Sequence, residues 1–157
     1  MELPLVNPAL ADLKQLLGDW TIEIVFPGDP ANEVFGTMSG EWLDDRAFLV
    51  LRTHVDWEGP GHSTCVIGRD DTEAVYSLLY FDDRGVSRIY KMHFADGVWQ
   101  QWRMTPDFSQ RFTGMLGFEG DVITAKWETS DDNLTWQLDF ELTYRRVDPA
   151  TAYGAEA

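Results

Sequence analysis

From residue 18 onward the chain carries the period of a β-strand and never returns to that of a helix. Trp20, Ile22, Ile24 and Phe26 alternate with Thr21 and Glu23, as in a strand with one buried face. After PGDPAN (residues 27–32), which reads as a turn or loop, similar runs recur over roughly 33–43, 46–56, 62–69, 73–81, 87–95, 98–104, 108–118, 121–129 and 134–146, about ten with the first. Turn signals separate them: Leu43-Asp44-Asp45-Arg46, Glu58-Gly59-Pro60-Gly61, Asp82-Asp83-Arg84-Gly85, Ala95-Asp96-Gly97, Glu119-Gly120-Asp121 and Ser130-Asp131-Asp132-Asn133. No linker or internal repeat interrupts them. The regular spacing predicts a sequential antiparallel meander. About ten such strands, each with an apolar face, need two packed sheets or closure, and closure removes exposed edges. The expected fold is an all-β, single up-and-down antiparallel barrel over residues 1–147, with a flexible tail over 148–157. A barrel of eight or more strands can be filled by its own side chains or hold a small ligand.

A helix precedes the strands. Leu10, Leu13, Leu16 and Leu17 recur at three- and four-residue spacing, which predicts a short helix over 8–17. Pro8 suits its first turn and Gly18 its end.

The chain has 157 residues, a size suited to one core, and its 7 Trp, 9 Phe and 5 Tyr can fill that core or line a concave site. Twelve Lys and Arg face 27 Asp and Glu, for a net charge of −15. That field repels phosphate backbones and anionic bilayers, so neither nucleic acid nor membrane is an expected partner. Cys65 is the one cysteine, which rules out an internal disulfide and fits a cytoplasmic protein. The first residues have no signal-peptide pattern, and no run approaches the ~20 apolar residues of a membrane span.

Four segments carry a family resemblance: LKQLLGDW (13–20), YFDDRGVSRIY (80–90), FSQRFTG (108–114) and WQLDFELTYRRV (136–147). Together they resemble a bacterial lipocalin-like family of uncharacterised function in the calycin superfamily, with lipocalins, fatty-acid-binding proteins and nitrobindin. The resemblance implies a calycin-like barrel in which Trp20, after Gly18, packs across the closed end. It also implies that a basic residue of the last strand, Arg145 or Arg146, lies over that indole. A guanidinium on an indole contributes roughly 0.5–2 kcal/mol, and the role is structural. Nitrobindin-like members bind haem through a histidine near the C-terminus. Here the last histidine is His93, so that route lacks its ligand and no cofactor is expected.

Strand parity nominates the interior. Over 87–95, Arg88, Tyr90, Met92 and Phe94 form the more apolar face and should point inward. An inward Arg88 either binds a ligand carboxylate or is neutralised by an internal ion pair or by water at the rim. Over 98–104, Trp102 and Met104 are the expected cavity walls, against a face carrying Trp99, Gln101 and Arg103. Tyr80 shares a face with Tyr76 and Leu78 and offers a phenol to a ligand. His54 lies on a strand apolar on both faces, and it is the best acid or base if it points inward.

Metal binding is not expected, because His54, His62 and His93 lack metal-ligand spacing and the paired aspartates fall at turns. The leading function is binding of a small, largely apolar molecule in the barrel. One alternative is an isomerase or cyclase acting on an apolar substrate in the same cavity. Another is a barrel without a cavity that serves protein–protein interaction, including a homodimer through exposed Trp57 or Trp99.

Overall fold

The computed structural model describes residues 7–43 and 47–147. Ten strands follow an N-terminal helix: β1 (Gly18–Phe26), β2 (Asp29–Trp42), β3 (Leu49–Val55), β4 (His62–Arg69), β5 (Tyr76–Asp82), β6 (Ser87–Ala95), β7 (Val98–Arg103), β8 (Ser109–Leu116), β9 (Val122–Ser130) and β10 (Gln137–Arg146). Each strand pairs antiparallel with its sequence neighbours, and β1 pairs with β10, so the ladder closes into a ring. This is the closed ten-stranded up-and-down barrel with one short N-terminal helix that the alternation predicts. The expected tail over 148–157 lies outside the described residues.

The expected short helix runs over Pro8–Leu16 and is of the 3₁₀ type. Its three-residue period places Leu10, Leu13 and Leu16 in one file, and all three are fully buried. Asn7 opens it, its side chain accepting from the Ala9 N–H at 3.0 Å. Of the turn or loop expected over 27–32, the structure has a tight turn at Pro27-Gly28, because β2 already begins at Asp29. Gly28 takes a φ of 78°, which lets the chain reverse there.

The helix lies under one end of the barrel and packs onto the β2 backbone. A Cβ at Gly40 would stand 2.2 Å from the Leu16 carbonyl oxygen. Trp20 is fully buried beside it, its indole N–H donating to the Leu16 carbonyl at 3.2 Å. The Arg146 guanidinium stacks 4.1 Å from the Trp20 ring centroid. It also donates to the carbonyls of Gln15 at 2.8 Å and Gly120 at 3.2 Å, binds the Leu17 carbonyl, and lies 3.3 Å from Asp121. Gly18 has a φ of +101° and lets Arg146 pass where a Cβ would sit 3.1 Å from Nη1. Of the two expected basic residues it is therefore Arg146 that covers Trp20, and Arg145 faces outward, exposed.

Candidate functional site

Above the sealed end the inward residues of the strands enclose a cavity of about 330 Å³. Alternation decides who reaches it. From β1 come Ile22 and Ile24, from β3 Leu51, Thr53 and Val55, and from β10 Leu142 and Tyr144. Aromatic rings form one wall in sequence: Tyr144 lies 5.9 Å from Trp99, Trp99 4.6 Å from Phe112, Phe112 5.2 Å from Trp127, and Trp127 5.8 Å from Tyr90. At the open end Phe26, Trp57 and Phe140 pack together, with Trp57 and Phe140 meeting edge to face at 5.6 Å.

Polar groups enter this apolar surround at a few points. Arg88 is half-buried at the mouth side, donating to Gln110 Oε1 at 3.2 Å and lying 5.4 Å from the Phe108 ring. It has no carboxylate partner among the described residues. The Tyr90 hydroxyl donates to the same Gln110 oxygen at 2.8 Å, and burial pushes its phenol pKa up. Tyr80, half-buried, donates to Asp82 Oδ2 at 2.6 Å, and Arg84 closes on that carboxylate at 2.7 Å. The Arg84 hydrogen bonds hold Asp82 well below the usual carboxylate range, while burial raises the Tyr80 phenol. Asp139 lines the mouth, and burial raises its carboxyl. Cys65 sits in the wall between β3 and β5, its thiol pushed up to about 12 by burial, so it is a protonated, unreactive group at neutral pH.

Arg88, Tyr80 and Tyr90 are thus brought together at the cavity, as their parity suggests. Met92 also points inward but is fully buried below the cavity, toward the helix, and is not part of its wall. The expectation for β7 is inverted. Trp99 and Gln101 face inward, Trp102 lies on the outer face, and Met104 is 54% exposed. The cause is the two-residue turn Asp96-Gly97, with φ of 55° and 76°. It sets Phe94 directly opposite Trp99, and opposed residues share a face. Phe94 is inward, so Trp99 must be.

His54 is corrected as well. Leu49, Leu51 and Val55 take the inward positions of β3, leaving His54 exposed on the outside, 3.3 Å from His62 between Nδ1 atoms. It cannot act as an acid or base in the cavity. All three histidines are exposed and none lines the cavity. Among the described residues no group of three or more His, Cys, Asp or Glu is arranged to hold a metal ion. Two polar residues of the interior are not expected there: Gln101, which parity sets on the face opposite the cavity wall, and Gln110, both buried. Glutamine reads as a solvent residue in a hydropathy pattern, but the inward Phe94 fixes Gln101 through the same hairpin register.

A closed antiparallel barrel around an internal cavity fits a calycin-like fold. Among solved structures, Rv2717c from M. tuberculosis superimposes with a TM-score of 0.63 at 14% sequence identity, covering 92% of this chain and 99% of that one. At that identity the likeness shows the fold alone. A protein of the DUF3598 family from Nostoc punctiforme PCC 73102, of unknown function, matches over 90% of this chain and 100% of that one, at 9% identity and a TM-score of 0.30. No family model matches the chain, and no curated protein matches it. No helix among the described residues is long and apolar enough to cross a membrane.

Proposed function

We propose that the protein binds a small, largely apolar molecule inside the barrel and holds an acidic group of that molecule at Arg88. The observation that carries this reading is a cavity of about 330 Å³ walled by aromatic and aliphatic side chains, into which Arg88 projects without a carboxylate partner among the described residues. A partly desolvated cation favours an anion that brings its own apolar body. The alternative, an enzyme using the cavity, loses its acid–base candidate with His54 outside.

Native mass spectrometry of the purified protein and titration with the anionic dye 1-anilinonaphthalene-8-sulfonate test the proposal. The dye is expected to raise the melting temperature with the logarithm of its concentration once that exceeds Kd. Arg88→Met should weaken it about tenfold, the cost of one charge-assisted contact. A bare mass together with no stabilisation by the dye refutes the reading.

The same proposal includes a cytoplasmic location and membership of the bacterial lipocalin-like family, both supported by the sequence features that suggested them. A homodimer keeps some support, though through a different surface. Trp99 is buried and Trp57 packs at the mouth, whereas Leu79 and Ile89, paired across β5 and β6, are 44% and 73% exposed on the outside. Sedimentation across a concentration series reads this directly.

A further inference from the structure

Burying a polar group without a partner costs free energy comparable to a lost hydrogen bond, so such groups in a cavity wall mark what the cavity is built to hold. Gln101 is 5% exposed and Tyr144 is 6% exposed, and both line the cavity. Gln101 Oε1 accepts the Trp99 indole N–H at 3.1 Å, which fixes the amide so that Nε2, a donor, is the free end. That Nε2 has no hydrogen-bond partner among the described residues, and neither does the Tyr144 hydroxyl. The two side chains are tied together through Trp99, whose ring lies 5.9 Å from that of Tyr144. Tyr144 stands opposite Ile22, two residues above the Trp20 plug, and Gln101 stands opposite Met92, which lies below the cavity, so both belong to its deep half. Arg88 is on the mouth side, where Gln110 already engages it.

We propose that the deep half of the cavity is a hydrogen-bond-donating subsite, in which Gln101 Nε2 and the Tyr144 hydroxyl hold a carbonyl-type oxygen at the leading end of the apolar ligand. The proposal rests on the cavity-binding reading above and adds to it the chemistry of the ligand's buried end. An amide N–H₂ only donates, and a phenol with no acceptor in reach turns its proton to the cavity. A hydrocarbon end would leave both donors unpaired, whereas a ketone or similar oxygen has two lone pairs to meet them. The ring wall beside them suits a flat body carrying that oxygen.

The test uses two probes of one shape, 2-acetylnaphthalene and 2-isopropenylnaphthalene, which differ in a carbonyl oxygen against a methylene group. Calorimetric titration of the full chain should show the ketone binding about tenfold more tightly, although it is the less hydrophobic of the pair. Tyr144→Phe and Gln101→Met, which keeps the length of the side chain and removes its donor, should each reduce the ratio of the two affinities about tenfold. Tyr144→Phe should leave the melting temperature of the empty protein unchanged or raised, because the hydroxyl it removes has no partner. Equal binding of the two probes, or a preference that survives both substitutions, overturns the subsite while leaving the apolar cavity standing. Binding of neither probe while 1-anilinonaphthalene-8-sulfonate still binds overturns the subsite alone, and binding of none of the three overturns the subsite together with the cavity-binding reading.

Discussion

At the scale of single residues, Arg146 ties together more of the molecule than any other charged side chain described above. Its guanidinium faces an indole on one side and spreads its donors over carbonyls of the helix end and of the β8–β9 turn. A lysine carries a point charge on a flexible stem and cannot reproduce a planar fork stacked on a ring. Arg146→Lys is therefore expected to destabilise the protein by about 2–3 kcal/mol, most of it from carbonyls left unpaired, as read from urea midpoints. Arg145→Lys, at an exposed neighbouring position, should be within about 0.5 kcal/mol of neutral. A shift no larger for Arg146 than for Arg145 would show that the stack contributes little. The sequence alone left these two arginines equivalent. Register separates them, because Trp20 stands opposite Arg146 in the β1–β10 ladder.

At the scale of elements, the strands were legible because each turn signal sits between alternating runs. The interior was legible only where one face was plainly more apolar than the other. β6 met that condition, and Arg88 and Tyr90 point inward with Met92 beneath them. β7 did not, because it carries Trp99 on one face and Trp102 on the other. Hydropathy cannot rank two tryptophans, whereas the Asp96-Gly97 hairpin can, by carrying the orientation of β6 across to β7. His54 failed for a related reason: Val50 on one face of β3, with Phe48 just before it, and Leu49, Leu51 and Val55 on the other make both faces apolar, and only burial against the core decides between them. The helix makes its own prediction. Gly40 admits the Leu16 carbonyl where a side chain would stand. Gly40→Ala should lift the helix from the barrel end, lower stability by about 2 kcal/mol or more, and speed hydrogen exchange of the Trp20 indole N–H. A wild-type exchange rate in that variant would mean that the helix is held elsewhere.

At the scale of the whole molecule, closure concentrates neutral acids inside. Burial raises the pKa of Cys65, to about 12, and those of the tyrosines at 76, 80, 90 and 144. Each of these groups is charged only after losing its proton, and each loses it more readily when unfolded. Their raised folded values contribute stability that is complete below the unfolded values, near 8.5 for Cys and 10 for Tyr, and that is lost as the pH rises through the folded ones. Urea midpoints should stay level from about pH 7 to 8.5 and then fall through about pH 11. Cys65→Ser should delay the onset of that fall. A midpoint that stays level to pH 11 would contradict the burial of these groups. The closure has a second consequence, which concerns the order of the chain. β1 is bonded on both sides, with Trp20 facing Arg146 and the Val147 N–H reaching the Asp19 carbonyl at 2.8 Å. The ring of strands thus has no first member, and the termini merely mark where it was left unsewn. A circular permutant opened at the Asp96-Gly97 turn, with a short linker from 147 to 7, would contain every rung of the same ladder.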